Sequence, residues 1–184
     1  MITVLEPHAD DAFLSMGGHL ARLAPGEARI VGVYSSLKRS KEGAAYADTV
    51  GAGYWWLGYE EAGSMDTVST PSEDLVLPSL EPNETVYVPL GLRHKEHYAV
   101  RDAADRTYSP HQIVYYVDQP YALQTGNSPE LDEKLSGMQI ESVMKPHGNK
   151  YRKSVVDIFK TQSRFFYYNK DTLKYITEML VRRP

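Results

Sequence analysis

An α/β sandwich with a mostly parallel sheet is the fold class this sequence predicts, and three observations carry it. Short apolar runs alternate with longer segments of helical period along the chain, the pattern of strands interleaved with helices. The segments between successive runs are long enough to be helical crossovers, which lay neighbouring strands parallel. The first apolar run also empties directly into polar residues, as in open sheets whose ligands bind beyond the carboxyl ends of the strands.

Val4 and Leu5 lie in the opening strand, which Pro7 ends, and Phe13, Leu14, Met16, Leu20 and Leu23 then recur at helical spacing up to Pro25-Gly26. His8, Asp10 and Asp11 therefore fall on a strand-to-helix turn. Residues 28 to 34 read as a second strand, bounded by Pro25-Gly26 and Ser35-Ser36, and complete a β-α-β unit. A helix from Glu42 to Val50 ends at Gly51 and Gly53 and leads into a short third strand, Tyr54 to Leu57. Residues 60 to 84 hold Glu60-Glu61, Gly63 and three prolines with no sustained period, which predicts a loop carrying at most a short helical stretch around Asp74 to Leu80. Loops of that length are usually functional or mobile.

Thr85 to Pro89 reads as the fourth strand, His97 to Tyr108 as a helix, and Gln112 to Val117 as a fifth strand ending in Asp118-Gln119-Pro120. A loop over Thr125 to Pro129 leads to a polar helical stretch through Leu135. Gln139 to Met144 alternates like a half-exposed edge strand. Lys150 to Gln162 predicts a helix with Val155, Val156, Ile158 and Phe159 on its apolar side. After the aromatic run Arg164 to Tyr168, a last helix is expected from Asp171 to Val181.

Composition bounds what such a chain does. Its 184 residues make one domain, 1–184, at the usual ~100–200 residues per domain. Hydrophobic content of 42% and charged content of 24% are ordinary for a globular protein, and a net charge of -4 without basic runs argues against a general nucleic-acid binder. No cysteine occurs, so disulfides, thiolate metal sites and a catalytic thiol are excluded, and any metal must rest on His and carboxylate. The apolar stretches are well short of the roughly 20 residues of a membrane span, and no basic n-region precedes an apolar one at the N-terminus. The expectation is a soluble, cytoplasmic protein. A dinucleotide is not expected either, because the first strand feeds His-Ala-Asp-Asp where G-x-G-x-x-G would be needed and Gly17-Gly18 come too late.

The chemistry concentrates at two strand ends. His8 and Asp11 stand three apart, so a turn entering a helix can aim both at one point, and imidazole with carboxylate suits zinc. Asp10 is left beside that point. Read alone, Asp10 or Asp11 could simply cap the helix. The second cluster, Arg93-His94-Lys95-Glu96-His97, follows the fourth strand, and its two histidines can supply a third ligand and a further proton-bearing group.

Pro7-His8-Ala9-Asp10-Asp11-Ala12, followed by Gly17-Gly18 and later by His94-Lys95-Glu96-His97, resembles the PIG-L (LmbE-like) family of zinc-dependent N-acetylglucosaminyl deacetylases, which carries P-H-P-D-D-E and H-P-D-H. Arg39-Ser-Lys-Glu42 with Leu57-Gly58 is similar to the family's R-x-x-E helix and L-G turn. Tyr115 to Tyr121 is similar to its aromatic strand ending in P-Y, and Phe159-Lys-Thr-Gln162 to its late Y-x-S-Q. The likeness runs in order along nearly the whole chain. Ala9 and Ala12 stand where the motif has Pro and Glu, and Lys95-Glu96 where it has Pro-Asp, so a less rigid turn and weaker support behind the ligands are expected.

The resemblance implies a Rossmann-like three-layer α/β sandwich and removal of the N-acetyl group from an N-acetylglucosamine-type sugar conjugate. It implies His8, Asp11 and His97 as ligands of zinc, or of iron or another divalent metal, with Asp10 as general base. His94, as an imidazolium, would stabilise the oxyanion. Arg39 would contact substrate oxygens and Glu61, with Glu60 as rival, would be the acidic substrate contact after the L-G turn. Tyr98, Tyr121 and Tyr151 lie near motifs without an assigned role. The short chain suggests an open site or one completed by a second subunit in a homo-oligomer. A catalytically impaired metal- or sugar-binding module, or a zinc hydrolase of another amide or ester, would keep the same ligands.

Overall fold

The computed structural model describes residues 1–124, 129–144, 157–162 and 177–184. Its sheet contains seven strands in the order β3-β2-β1-β4-β5-β7-β6. These are β1 (Ile2–Glu6), β2 (Ala28–Tyr34), β3 (Gly53–Tyr59), β4 (Thr85–Pro89), β5 (Ile113–Tyr116), β6 (Gln139–Met144) and β7 (Glu178–Arg182). The first five pair in parallel through helical or loop crossovers, whereas β7 runs antiparallel to both β5 and β6. The chain thus has the predicted α/β class with a mostly parallel sheet. Helices α1 (Asp11–Leu20), α2 (Leu37–Thr49) and α3 (Lys95–Thr107) cover it, with short α4 (Tyr121–Gln124) and α5 (Pro129–Leu135) after β5.

Adjacent residues on each inner strand serve opposite faces, which is why the strands read as unbroken apolar runs. Val4 and Ile30 pack with Phe13, Met16 and Leu20 of α1 and Tyr46 of α2, whereas Leu5 and Val31 pack with Val86, Val88 and the α3 residues Val100 and Ala104. Two apolar layers therefore flank the sheet. Leu75 and Leu77 from the long loop close the second layer. That loop holds one 3-10 turn, Ser72–Asp74, in place of the helical stretch expected near Asp74 to Leu80; its two buried leucines are held by tertiary contacts instead.

Glycine makes one close approach possible. A Cβ at Gly32 would lie 2.5 Å from the Tyr54 hydroxyl and one at Gly43 2.6 Å from it, so both positions leave room for that phenol between β2 and α2.

Several boundaries move. Helix α2 begins at Leu37, well before the expected Glu42, because the Ser36 hydroxyl caps it by accepting from Arg39 N at 3.3 Å. The larger correction is at the C-terminus: residues 178–182, expected to finish a helix reaching Val181, form β7. Tyr115 and Tyr116 of the wholly buried β5 need a hydrogen-bonding neighbour, and Val181 and Leu180 supply it. Glu178 is buried there and accepts from the Gly18 and His19 amides of α1 at 2.6 and 3.0 Å. The expected helix over Lys150 to Gln162 falls largely outside the described residues, of which 160–162 form a 3-10 turn and Phe159 packs against Phe13 and Tyr46. The aromatic run 164–168 and residues 171–176 also lie outside them.

Candidate active site

The turn after β1 is folded on itself. His8 N donates to Asp11 Oδ2 at 2.8 Å and Asp11 N to His8 O at 3.0 Å, so ligand-type side chains and backbone share one tight loop. Asp10 occupies the cap position of α1 but makes no side-chain cap bond, which removes the plain capping role for it. The second turn is shaped by Gly91 and Arg93, both in the left-handed region at φ 80 and 59. It delivers His94 to the N-cap of α3, where its Nδ1 accepts from Glu96 N at 3.2 Å.

These turns bring His8, Asp11 and His97 together. His8 Nδ1 lies 3.3 Å from Asp11 Oδ2, His97 Nε2 lies 3.2 Å from the same oxygen, and the two nitrogens are 3.3 Å apart. A tetrahedral ion with bonds of about 2.0–2.1 Å holds its ligand atoms about 3.3–3.4 Å from each other, so this triangle fits a divalent metal such as zinc. The outward nitrogens are taken: His8 Nε2 meets Glu96 Oε2 at 2.8 Å, and His97 Nδ1 meets Asp118 Oδ1 in a short contact. With each outer N–H directed at a carboxylate, the inner nitrogen presents its lone pair to the triangle. With both inner nitrogens unprotonated, three acceptors face one another, a donor set suited to a divalent cation. A second grouping, His8, His94 and Glu96, is also close, but both Glu96 oxygens are already engaged.

The charges agree. Burial opposes a proton on His97, yet Asp11 and Asp118 outweigh it and push the ring up to about 10. Burial also opposes charge on His8, and Asp11 with Glu96 raises it nonetheless. Burial would raise Asp11, but His97 and His8 hold its carboxyl well below the usual range. Burial lifts Asp10 above the ordinary carboxyl value despite the Arg39 guanidinium beside it. His94 goes the other way: burial first, then His8 and His97, push it down to about 4. That direction favours a neutral imidazole near pH 7, where an imidazolium was expected. Because its Nδ1 accepts, its Nε2 carries the hydrogen.

Arg39 links the remaining predicted residues. Its Nη2 lies 2.6 Å from Asp10 Oδ1, and its Nη1 makes a short contact with Glu61 Oε2. Glu61, rather than Glu60, lines a cavity of about 220 Å³ together with His8, Asp10, Asp11, Arg39, His94 and Tyr121. That is smaller than the ~300–1,000 Å³ of sites for drug-sized ligands, so it fits one small ring or acyl group and leaves a larger conjugate outside. Tyr98 turns away to Glu130, and Tyr151 lies outside the described residues.

Three buried acids escaped the sequence reading. Glu96 and Asp118, both wholly buried, stand behind His8 and His97, so Lys95-Glu96 supplies the support its departure from the motif seemed to remove. Asp118 is further fixed by the Gly91 amide at 2.9 Å. The third is Glu6, whose Oε2 accepts from Ala12 N at 3.2 Å and which burial keeps well above the ordinary carboxyl value, with Asp11 and Asp10 adding to the shift. The one signal for these was position: Glu6 ends β1, Asp118 follows the end of β5, and Glu96 lies between His94 and His97 at the start of α3.

No protein-family model matches the sequence, and no curated protein does. Solved structures do match. The A40926 pseudoaglycone deacetylase is 19% identical with a TM-score of 0.61, the match covering 98% of this chain and 96% of that one. The zinc-inhibited form of teicoplanin deacetylase is 16% identical with a TM-score of 0.62 over 100% and 98% of the two chains. A 4-carboxy-2-hydroxymuconate hydratase from Pseudomonas putida, 11% identical, reaches 0.52 over 100% and 96%. Identities this low speak to architecture alone: the chain has the α/β fold of these deacetylases, a fold that also houses a hydratase.

Proposed function

We propose that this chain is a metal-dependent amide hydrolase that removes the N-acetyl group from an N-acetylglucosamine-type sugar conjugate, within a single domain of the PIG-L (LmbE-like) kind. The observation that carries the reading is the triangle of His8 Nδ1, Asp11 Oδ2 and His97 Nε2, edged at 3.2 and 3.3 Å, opening into a cavity shared with Asp10 and His94. Deacetylases among the structural neighbours support the reaction class.

A divalent ion in the triangle, zinc in the first instance, would polarise an amide carbonyl and acidify water at the open coordination positions. Asp10 takes the proton as water attacks the acetyl carbon, and the raised basicity that burial confers suits it to that role. His94 donates its Nε2–H to the oxygen on which charge develops, a bond that strengthens in the transition state. With His94 neutral, protonated Asp10 is the group that returns a proton to the departing amine. Arg39 holds Asp10 in place from one side and, paired with Glu61, lines the cavity where sugar hydroxyls would lie.

The test is a screen of zinc-loaded protein against N-acetylated sugars with an amine-reactive probe. Amine should be released from at least one of them, and Asp10→Asn should lose most turnover while keeping its metal. Equal product from both proteins would remove Asp10 from the mechanism. The likeness to a hydratase favours a second reading, in which the same site activates water toward a different electrophile. Stoichiometric metal without amine release from any acetamido sugar would favour that reading.

A further inference from the structure

Glu96 touches the metal site with one oxygen and the cavity wall with the other. Its Oε2 meets His8 Nε2 at 2.8 Å. Its Oε1 accepts from Ala62 N at 2.8 Å, from the Ser69 hydroxyl at 3.2 Å and from Ser69 N at 3.4 Å. The side chain is wholly buried, so no water competes for either oxygen. The stretch between those anchors has no helix or strand, and its residues Gly63, Ser64 and Met65 line the cavity with Glu61 and Ala62. One further tie, Lys95 N to Met65 O at 3.0 Å, joins it to the first turn of α3.

A carboxylate is planar, so the direction of one oxygen sets the direction of the other. An ion held by His8 Nδ1 would draw electron density from the ring and strengthen the hydrogen bond from its Nε2 to Glu96. That bond holds the Glu96 plane, which in turn aims Oε1 at Ala62 and Ser69. We propose that Glu96 is a positioning residue that couples occupancy of the metal site to the order of the cavity wall at residues 62–69, and through it to the placement of Glu61. The inference rests on the metal site proposed above. Because coupling between two sites is reciprocal, loosening the wall must also weaken metal binding.

Hydrogen exchange by mass spectrometry, with and without zinc, tests this. In the wild type, zinc should slow exchange over residues 62–69 and leave residues 78–83 of the same loop little changed, since their polar contacts go to Tyr108, Arg29 and Gln112. Glu96→Gln should abolish the zinc-dependent part of the protection and weaken zinc affinity about 10–100-fold in chelator competition. Ser69→Ala, which leaves Glu96 and the ligands intact, should lose part of the protection and reduce affinity by a smaller factor. A purely structural Glu96 would alter exchange equally with and without zinc.

Zinc-independent protection of 62–69 in the wild type overturns the coupling, as does full zinc-dependent protection in both variants. If the wild type binds zinc and releases amine under either result, the proposed function stands while the coupling falls. A chain that binds neither zinc nor another divalent metal overturns both.

Discussion

Asp118 Oδ1 meets the Nδ1 of His97 in a short contact, and neither side chain reaches solvent. The aspartate thereby sets which nitrogen of His97 faces Asp11 and His8. Replacing it by Asn keeps the shape and removes the charge, so the ring is held less firmly and is a weaker base. We expect Asp118→Asn to fold, and to lose about 10–100-fold in metal affinity. Chelator competition alongside circular dichroism checks both, and unchanged affinity would detach Asp118 from the site.

Metal affinity should depend on pH with a definite sign. His97 is pushed up to about 10 and His8 is raised, so below those values each nitrogen must give up a proton when an ion binds. Apparent affinity therefore climbs as pH rises through neutrality toward about 10, by up to about tenfold per unit for each proton displaced. Affinity measured across pH, with proton release read by an indicator dye, tests this. A flat profile would exclude His97 as a ligand.

His94 should matter for turnover and not for metal. Loss of a donor to a developing oxyanion typically costs about 100–1,000-fold in rate, which is the effect expected of His94→Ala at unchanged metal content. Since the ring is held down to about 4, it is already the neutral donor across the range where an imidazolium would titrate. The pH profile of the residual activity between about 5 and 8 should keep the wild-type shape. A wild-type rate that falls through about 6.5 with rising pH, and loses that limb in the variant, would restore the imidazolium role.

Arg39 lowers the Asp10 carboxyl, opposing the larger effect of burial. Arg39→Met should let that carboxyl rise further, so it stays protonated to higher pH. The acidic limb of kcat/KM then moves upward in pH, in addition to any rise in KM from lost sugar contacts. A raised KM with the limb unmoved would confine Arg39 to substrate binding.

Gly43 lies inside α2, where Ala normally stabilises by about 1 kcal/mol. Here the added Cβ would meet the Tyr54 ring at 2.6 to 2.8 Å, so Gly43→Ala should destabilise, by about 1–3 kcal/mol as for other overpacked sites. Urea melts give the sign. Tyr54→Phe, which removes the hydroxyl but leaves the ring carbons at 2.8 Å, should restore part of the loss.

By itself the sequence determined the alternation of strands and helices, the strand ends that carry His8 to Asp11 and His94 to His97, and the half-exposed strand Gln139–Met144. These are local properties, written in the spacing of apolar residues and in the Pro and Gly that stop them. Only the tertiary structure decided that residues 178–182 pair as a strand, since a short apolar segment takes the form its neighbour's open hydrogen-bonding edge demands. It alone decided that Glu96 backs His8, 88 residues away, and that Asp118 backs His97. It also lowered the basicity of His94, because burial and nearby imidazoles act through space. Periodicity encodes which face of a segment is apolar, and it carries no record of which distant side chain will lie against a given ring.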